Sequence, residues 1–566
     1  MKNRLNHHNS KEEINKIMRH ISLTILALAF IAALIPSYTT LAENEVEEVY
    51  WNQFRGPNGD GKSAATDLPL EFSKTQNIRW RIPIHDKGWS SPVVWGDQIW
   101  LTTGREDGTE LFAICVDKNS GKIIHDIKVF DVAHPQLEYN DLNSHATPTP
   151  IVEKDRVYVH FGTYGTACID TNNGEKIWER RDLNTDHRVR PASSPIIDGD
   201  SLFLTFDGVD TQFIAALNKH TGDTLWVQDR EVDFDMATML KAEGFSDADI
   251  EATQKEKPND NKKSYATPTI IEYQGKQQLI SPAAGATISY DPKTGDELWR
   301  VCHRGMGFNV ACRPVFENNL VYLTTGVAKR LLAIRPSGTG DVTDTHIAWS
   351  VRRRTPEISS PLIVDDLMFM VTEGGVVSCL EAKSGHEVWK GRLDGDYWAS
   401  PLYADGKIYF FSREGNVSVI SAGRDFEILT ENEFDEGFIA SPATAGNTII
   451  VRSLTHLYCF AQGYEMDLQP EITNKPQVSN RRKSESKQVS ELPLNITGYY
   501  MGETSNNGEF EVTFLIESPN LDKDDWPTVT FTGEQFRAVF TNLTQYQRVT
   551  LDLAEGAKIG KKGRGK

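Results

Sequence analysis

Cysteine is scarce in this sequence: six occur in 566 residues, none precedes Cys115, and no two are adjacent. No Cys-x-x-Cys-His run exists, which excludes c-type haem attachment. Gly-x-Ser-x-Gly and His-Glu-x-x-His are absent as well, so neither a nucleophile elbow nor a zinc-protease helix announces a chemistry. Positive charge is in deficit, with 60 Lys and Arg against 79 Asp and Glu and a formal net charge of −19. Such a balance offers no broad face that could neutralise phosphates, and no nucleic-acid partner is expected. The one basic stretch, Lys558 to Lys566, reads as part of a disordered solubilising tail over residues 554–566, with contact to an anionic surface as its alternative.

Long apolar runs are equally rare. Only Ile21 to Ile35 is nearly continuous; it follows Arg19 and His20, stops at Pro36, and leads to Thr40-Leu41-Ala42, small residues at the −3 and −1 positions of a cleavage site. That order reads as an export signal over residues 1–42. The run is shorter than the ~20 residues a spanning helix needs, so membrane attachment is expected only if the signal stays uncleaved. With no cysteine near it, no lipid anchor is expected. The mature chain is placed in the periplasm or another extracytoplasmic compartment.

What the sequence has in abundance is self-similarity. A small residue, then Ser or Thr, then Pro, then an apolar pair recurs at Ser91-Pro92, Thr147-Pro148, Ser194-Pro195, Thr267-Pro268, Ser360-Pro361, Ser400-Pro401 and Ser441-Pro442, with Arg313-Pro314 as an eighth, variant copy. Most successive prolines lie 40 to 47 residues apart, the length of one four-stranded propeller blade. Within a unit, alternating strands lead to an acidic or amide residue, then Gly, then Trp four residues later. Asp170…Gly174…Trp178, Asn218…Gly222…Trp226, Asp291…Gly295…Trp299 and Glu381…Gly385…Trp389 follow this pattern, and Asp117…Gly121 has His125 in the Trp place. Each Gly suits a left-handed turn position, and each Trp is a plate that can wedge between blades.

This pattern resembles the tryptophan-docking repeat of the pyrroloquinoline-quinone-like (PQQ-like) propeller family, roughly Ala-x-Asp-x-x-x-Gly-x-x-x-Trp. The fold expected is an all-β, eight-bladed propeller over residues 78–462, followed by a linker (463–491) and a small β-rich module (492–553). The last unit lacks a fourth strand, and an orphan one, containing Trp80, precedes the first unit. It is expected to close the ring. Trp80, Trp178, Trp226, Trp299, Trp349 and Trp389 are the expected docking residues. Cys115, Cys168, Cys379 and Cys459 share one in-register slot, held elsewhere by Ala216, Ser289 and Ala333, and read as buried small residues. Cys302 and Cys312 lie in one inter-blade connection and could form a disulfide or remain two free thiols.

Before the ring, residues 43–77 form a strap, with Trp51-Asn-Gln-Phe-Arg-Gly similar to the leader of many exported PQQ-like proteins. Trp51 and Phe54 are expected to anchor it; a ligand role for Arg55 is the sharper alternative. Three long connections, Asp126 to Ala146, Arg230 to Ser264 (helix-prone, the insertion at about 231–263) and Arg300 to Cys312, emerge on one face, where binding usually sits. Residues near the channel mouth there are Trp89, His145, Arg190, Tyr265, Asn309 and Trp398, joined by Asp207, Glu373 and Arg413 from strand turns. Aromatic and Arg side chains in a ring suit recognition, though each could merely seal the channel.

The resemblance also raises quinoprotein dehydrogenases, in which PQQ sits in the channel with calcium held by carboxylate and amide oxygens, an Asp acts as base, and many members carry an adjacent Cys pair. This sequence has no Cys-Cys dipeptide and no matching acidic set, so no catalytic residue, metal ligand or cofactor is assigned. The expectation is a non-catalytic exported binding or scaffolding propeller with a protein or cell-envelope partner. Its repeats are similar to those of the propeller component of the outer-membrane β-barrel assembly machinery. The alternatives are a PQQ- and calcium-dependent oxidoreductase acting on an alcohol or sugar, and carbohydrate or cell-wall binding through the aromatic mouth.

Overall fold

The computed structural model describes residues 50–136, 142–230, 232, 236–242, 244–256, 259–303 and 309–466, and strands at 495–506, 509–516, 528–532 and 548–552. The expected export signal and basic tail, and the expected linker beyond Met466, lie outside the described residues; the last strand of the ring runs to Glu465, so the linker begins later than the expected residue 463. Eight antiparallel sheets form the blades, each beginning directly after a proline, which has no N–H to lose to a ladder. Blade 1 runs through Val93–Trp95, Gln98–Gly104, Glu110–Asp117 and Ile123–Asp131, and the others repeat this meander. In blade 2 the first strand, Ile151–Glu153, follows Pro150. The in-register pair is therefore Thr149-Pro150, two residues beyond the Thr147-Pro148 expected from sequence.

The ring closes as the orphan strand suggested. Gln76–Pro83 pairs antiparallel with His456–Glu465, so blade 8 takes its outer strand from the front of the chain and the rest from Ala443–Ala445, Thr448–Arg452 and His456–Glu465. Without it, that sheet would expose an unpaired edge. Trp80 leans on Gly121 of blade 1, and the same contact joins Trp178 to Gly222, Trp226 to Gly295 and Trp349 to Gly385. Trp80, Trp178, Trp226 and Trp389 donate from Nε1 to a turn carbonyl of the following blade, on Lys118, Lys219, Pro292 and Gly423, at 2.9 to 3.1 Å. Trp299 departs, because blade 5 has no acidic-Gly turn to receive it; its Nε1 bonds Gln278 Oε1 at 2.8 Å within its own blade.

The small-residue slot has a geometric cause. Cys168, Ala216, Ser289, Ala333, Cys379 and Cys459 each lie directly across from a docking Trp, and Cys115 across from His125. A larger side chain there would keep the fourth-strand ring from the second-strand ring, as with Trp178 and Tyr158 at 6.1 Å or Trp389 and Phe369 at 5.9 Å. Burial pushes the Cys168, Cys379 and Cys459 thiols up to about 12, leaving them inert packing groups. Cys302 and Cys312 are both free, not bridged. The Cys302 thiol points to Asp341, whereas Cys312 turns between blades toward the Thr324 carbonyl at 3.3 Å.

The insertion between blades 3 and 4 holds two helices, Met236–Ala242 and Asp247–Glu256. The chain divides into two units after Glu471. In the second, Asn495–Asn506 pairs antiparallel with Glu509–Ile516 on one side and Arg548–Asp552 on the other, and Thr528–Thr532 extends the sheet. Among the described residues no helix is long and apolar enough to cross a membrane.

Candidate functional site: a two-ringed channel closed by the strap

The residue preceding each blade's proline defines a layer of the channel. Its backbone N–H donates to the hydroxyl of the equivalent residue in the next blade: Ser91 to Thr149, Thr149 to Ser194, Ser194 to Thr267. The sequence resumes from Arg313 to Ser360, Ser360 to Ser400, Ser400 to Ser441, and Ser441 back to Ser91, all at 2.9 to 3.0 Å. A belt of hydroxyls thus joins all blades but one pair, and each bond contributes about 1 kcal/mol. Extended chain alternates its side chains, so positions two residues earlier face the channel again. Those positions are Trp89, Thr147, Ala192, Tyr265, Ala311, Ile358, Trp398 and Ile439, one per blade, and all eight line a cavity of roughly 190 Å³.

The cavity is mainly apolar. Leu142, Asn143, Val189, Lys263, Asn309 and Glu357 extend its wall, and four of these come from the long connections. Among the described lining residues Glu357 is the one carboxylate; burial raises its pKa, opposed by Lys329. Two buried polar atoms on the wall, Trp89 Nε1 and Asn309 Oδ1, have no partner among the described residues. Among those residues, no three His, Cys, Asp or Glu side chains are grouped to hold a metal ion.

The far end of the channel is spanned by the strap. Trp51 O accepts from Val94 N, Asn52 O from Val152 N and Gly61 O from Tyr403 N, each on a first strand beyond the hydroxyl belt. Lys62–Ser63 then adds a short parallel strand to Leu402–Ala404 of blade 7. Phe54 forms the cavity floor. Arg55 is 1% exposed and donates from Nη2 to the Pro361 and Asp60 carbonyls, so it fixes the strap and faces no solvent ligand. One signal was overlooked in the sequence: Gly56 to Ser63 fits Gly-x-x-x-x-Gly-Lys-Ser, the phosphate-loop pattern. Its context is wrong, for no helix follows. The N–H groups of Gly56, Gly59 and Gly61 bond strap carbonyls and that of Lys62 bonds Asp60, leaving no cradle of free donors.

Of the nine channel-mouth residues read from sequence, Trp89, Tyr265, Asn309 and Trp398 line the cavity. Three others hold its wall from behind. Arg190 donates from Nη1 to the Asn143 carbonyl, and Glu373 Oε1 accepts from the backbone N–H groups of Glu357 and Ile358. The Arg413 guanidinium lies 3.8 Å from the Trp398 ring centroid and is tied to Asp396. Asp207 is apart from the cavity, paired with Arg230 at 2.8 Å between blades 3 and 4, and burial lifts its carboxyl to about 6. His145 is buried beside Tyr164, and desolvation lowers it to about 4.

Eight four-stranded blades, inter-blade Trp docking and an N-terminal closing strand define a PQQ-like repeat propeller. The family model described as outer membrane protein assembly factor BamB matches residues 71–229, 210–364 and 341–425, more than half of the chain, and the chain belongs to that family. No curated protein sequence matches it. Among solved structures, quinohemoprotein alcohol dehydrogenase from Comamonas testosteroni is similar at 10% identity and a TM-score of 0.51, over 78% of this chain and 82% of that one. A second such dehydrogenase, from Pseudomonas putida, gives 11%, 0.50, 79% and 84%. BamB from Moraxella catarrhalis gives 13% identity and 0.45, over 68% of this chain and 99% of that one. At these identities the likeness is one of fold.

Proposed function

We propose that this protein is an exported, non-catalytic binding propeller that engages a protein partner of the cell envelope through its loop-bearing face and the cavity at its centre. The observation that carries this reading is the composition of the cavity: eight in-register side chains, mostly aromatic or aliphatic, above a hydroxyl belt whose groups are spent on one another. Such a lining suits an apolar anchor with few polar contacts. The match to a family described as an assembly factor supports a partner-binding role.

The quinoprotein reading requires a hard cation held by several carboxylate and amide oxygens. Among the described residues the lining offers Glu357, Asn143 and Asn309, while Asp207 and Glu373 are committed to Arg230 and to backbone N–H groups and Lys329, so these described residues do not fit PQQ with calcium. Titrating the purified protein with PQQ and calcium, while following quinone absorbance and dye-linked alcohol oxidation, tests the choice. Unchanged absorbance and no turnover are expected; saturable binding with turnover would overturn the binding-propeller reading. Capture of an envelope protein from membrane extract, lost on blocking the cavity face, is the positive result.

A further inference from the structure

The hydroxyl belt has one gap. Blade 5 carries Arg313 where the other seven carry Ser or Thr, so the Thr267 N–H meets no hydroxyl and has no acceptor among the described residues. Arg313 is 2% exposed; Nη1 and Nη2 bond the Phe54 carbonyl and Gln53 Oε1 of the strap, and Nε bonds nothing among the described residues. Arg55, on the strap and close enough to Arg313 to repel its charge, is 1% exposed, with Nε and Nη1 unpartnered among the described residues. The nearby Asp60 carboxylate is engaged by the N–H and Nζ of Lys62, and Lys62 in turn by Glu317. Burial lowers Arg55 to about 10 and Arg313 to about 9, the second also through repulsion by the first. Arg55 Nε and Nη1 and Arg313 Nε are therefore unpartnered N–H donors carried by two buried cations. The Asp60 carboxylate acts on both guanidinium groups but is shared with Lys62, so among the described residues Arg55, Arg313 and Lys62 face only Asp60 and Glu317. An under-compensated buried cation is strongly disfavoured, and an acceptor-only monovalent ligand supplies both the missing charge and the missing acceptor.

We propose that Arg55, Arg313 and the Thr267 N–H together form a binding site for a small monovalent inorganic anion of the halide class, which locks the strap into the channel. Arg313 also borders a second cavity, of roughly 320 Å³, shared by Gln53, Asn58, Thr269 and Val315, which gives such an ion a route inward. A nucleotide phosphate is a poor candidate, since the strap's backbone N–H groups are already bonded. The site is independent of the partner-binding reading, because it lies on the strap side of the belt.

Thermal unfolding in sodium chloride against sodium gluconate at fixed ionic strength tests the site, together with anomalous diffraction from crystals grown in sodium bromide. The expected results are a saturable rise in Tm of about 2–4 °C with chloride and a bromide peak between the two guanidinium groups. Arg313→Ser restores the missing hydroxyl and should fold, by circular dichroism, while losing the chloride-dependent shift. Equal Tm in the two salts, no bromide peak, a peak without a Tm shift (an adventitious ion only), or a shift that survives in folded Arg313→Ser would each overturn the proposal. If the variant does not fold, the bromide map and the salt comparison of the parent protein decide.

Discussion

Two glycines with the same backbone demand but different surroundings isolate what holds neighbouring blades together. Gly121 has φ +72° and a Cβ there would lie 2.8 Å from the Trp80 ring; Gly96, in the same blade, has φ +59° and nothing within 4 Å. Alanine at either position incurs the left-handed penalty of about 1–2 kcal/mol. Only at Gly121 must it also displace the indole that closes the ring, adding about 1–3 kcal/mol of overpacking. The expected losses are thus ~1–2 kcal/mol for Gly96→Ala and ~2–5 kcal/mol for Gly121→Ala, read as shifts in urea midpoint at constant m. Gly222→Ala, whose Cβ would lie 2.8 Å from the Trp178 ring, should match Gly121→Ala. Equal destabilisation by Gly96→Ala and Gly121→Ala would refute the account of Trp docking as the inter-blade clamp.

Three further outcomes are expected. Trp398→Ala, which removes one aromatic wall of the cavity and the plate under Arg413, should weaken partner capture tenfold or more with unfolding unchanged within ~1 kcal/mol; undiminished capture would argue against the cavity as the anchor site. Burial holds His145, His187 and His303 near 4 and His160 near 3, below the ~6.5 of an unfolded chain. Their contribution is complete above pH 6.5 and is lost as pH falls toward 4 and 3, so Tm should drop steeply over that window; a flat profile would contradict their burial as neutral rings. Thiol titration should find six free cysteines in denaturant and, in the native protein, reaction only at half-exposed Cys302; a mass change on reduction would show a bridge.

The ring was legible because each blade repeats the same solution to the same packing problem. Proline opens a strand, a left-handed glycine turns the third into the fourth, and Trp has one place to go. Thr147-Pro148-Thr149-Pro150 misled the register of blade 2 because two prolines compete, and only strand pairing shows that the second opens the sheet. The candidate site was half legible for a related reason. Trp89, Tyr265 and Trp398 stand two residues before the belt, where alternation returns the side chain to the channel. His145 and Arg190 stand four before it, and there the chain has left extended geometry: Arg190 has φ +67°, which turns its guanidinium to the Asn143 carbonyl. Phe54 was beyond sequence reasoning about the cavity, since nothing local says that the strap crosses the channel.

The strap and the closing strand set an order on folding. Blade 8 needs residues 76–83 and 443–465, so the ring cannot shut until almost the whole propeller has been delivered, and contacts separated by more than 350 residues must form last. Until then the unfinished ring offers open strand edges to other chains. The strap answers part of this exposure. Trp51 to Ser63 emerges before any blade, yet bonds to the first strands of blades 1, 2 and 7 and, through side chains, to blades 5, 6 and 8. It is an axle already present when the spokes arrive, and each blade that forms can dock on it before its last neighbour exists.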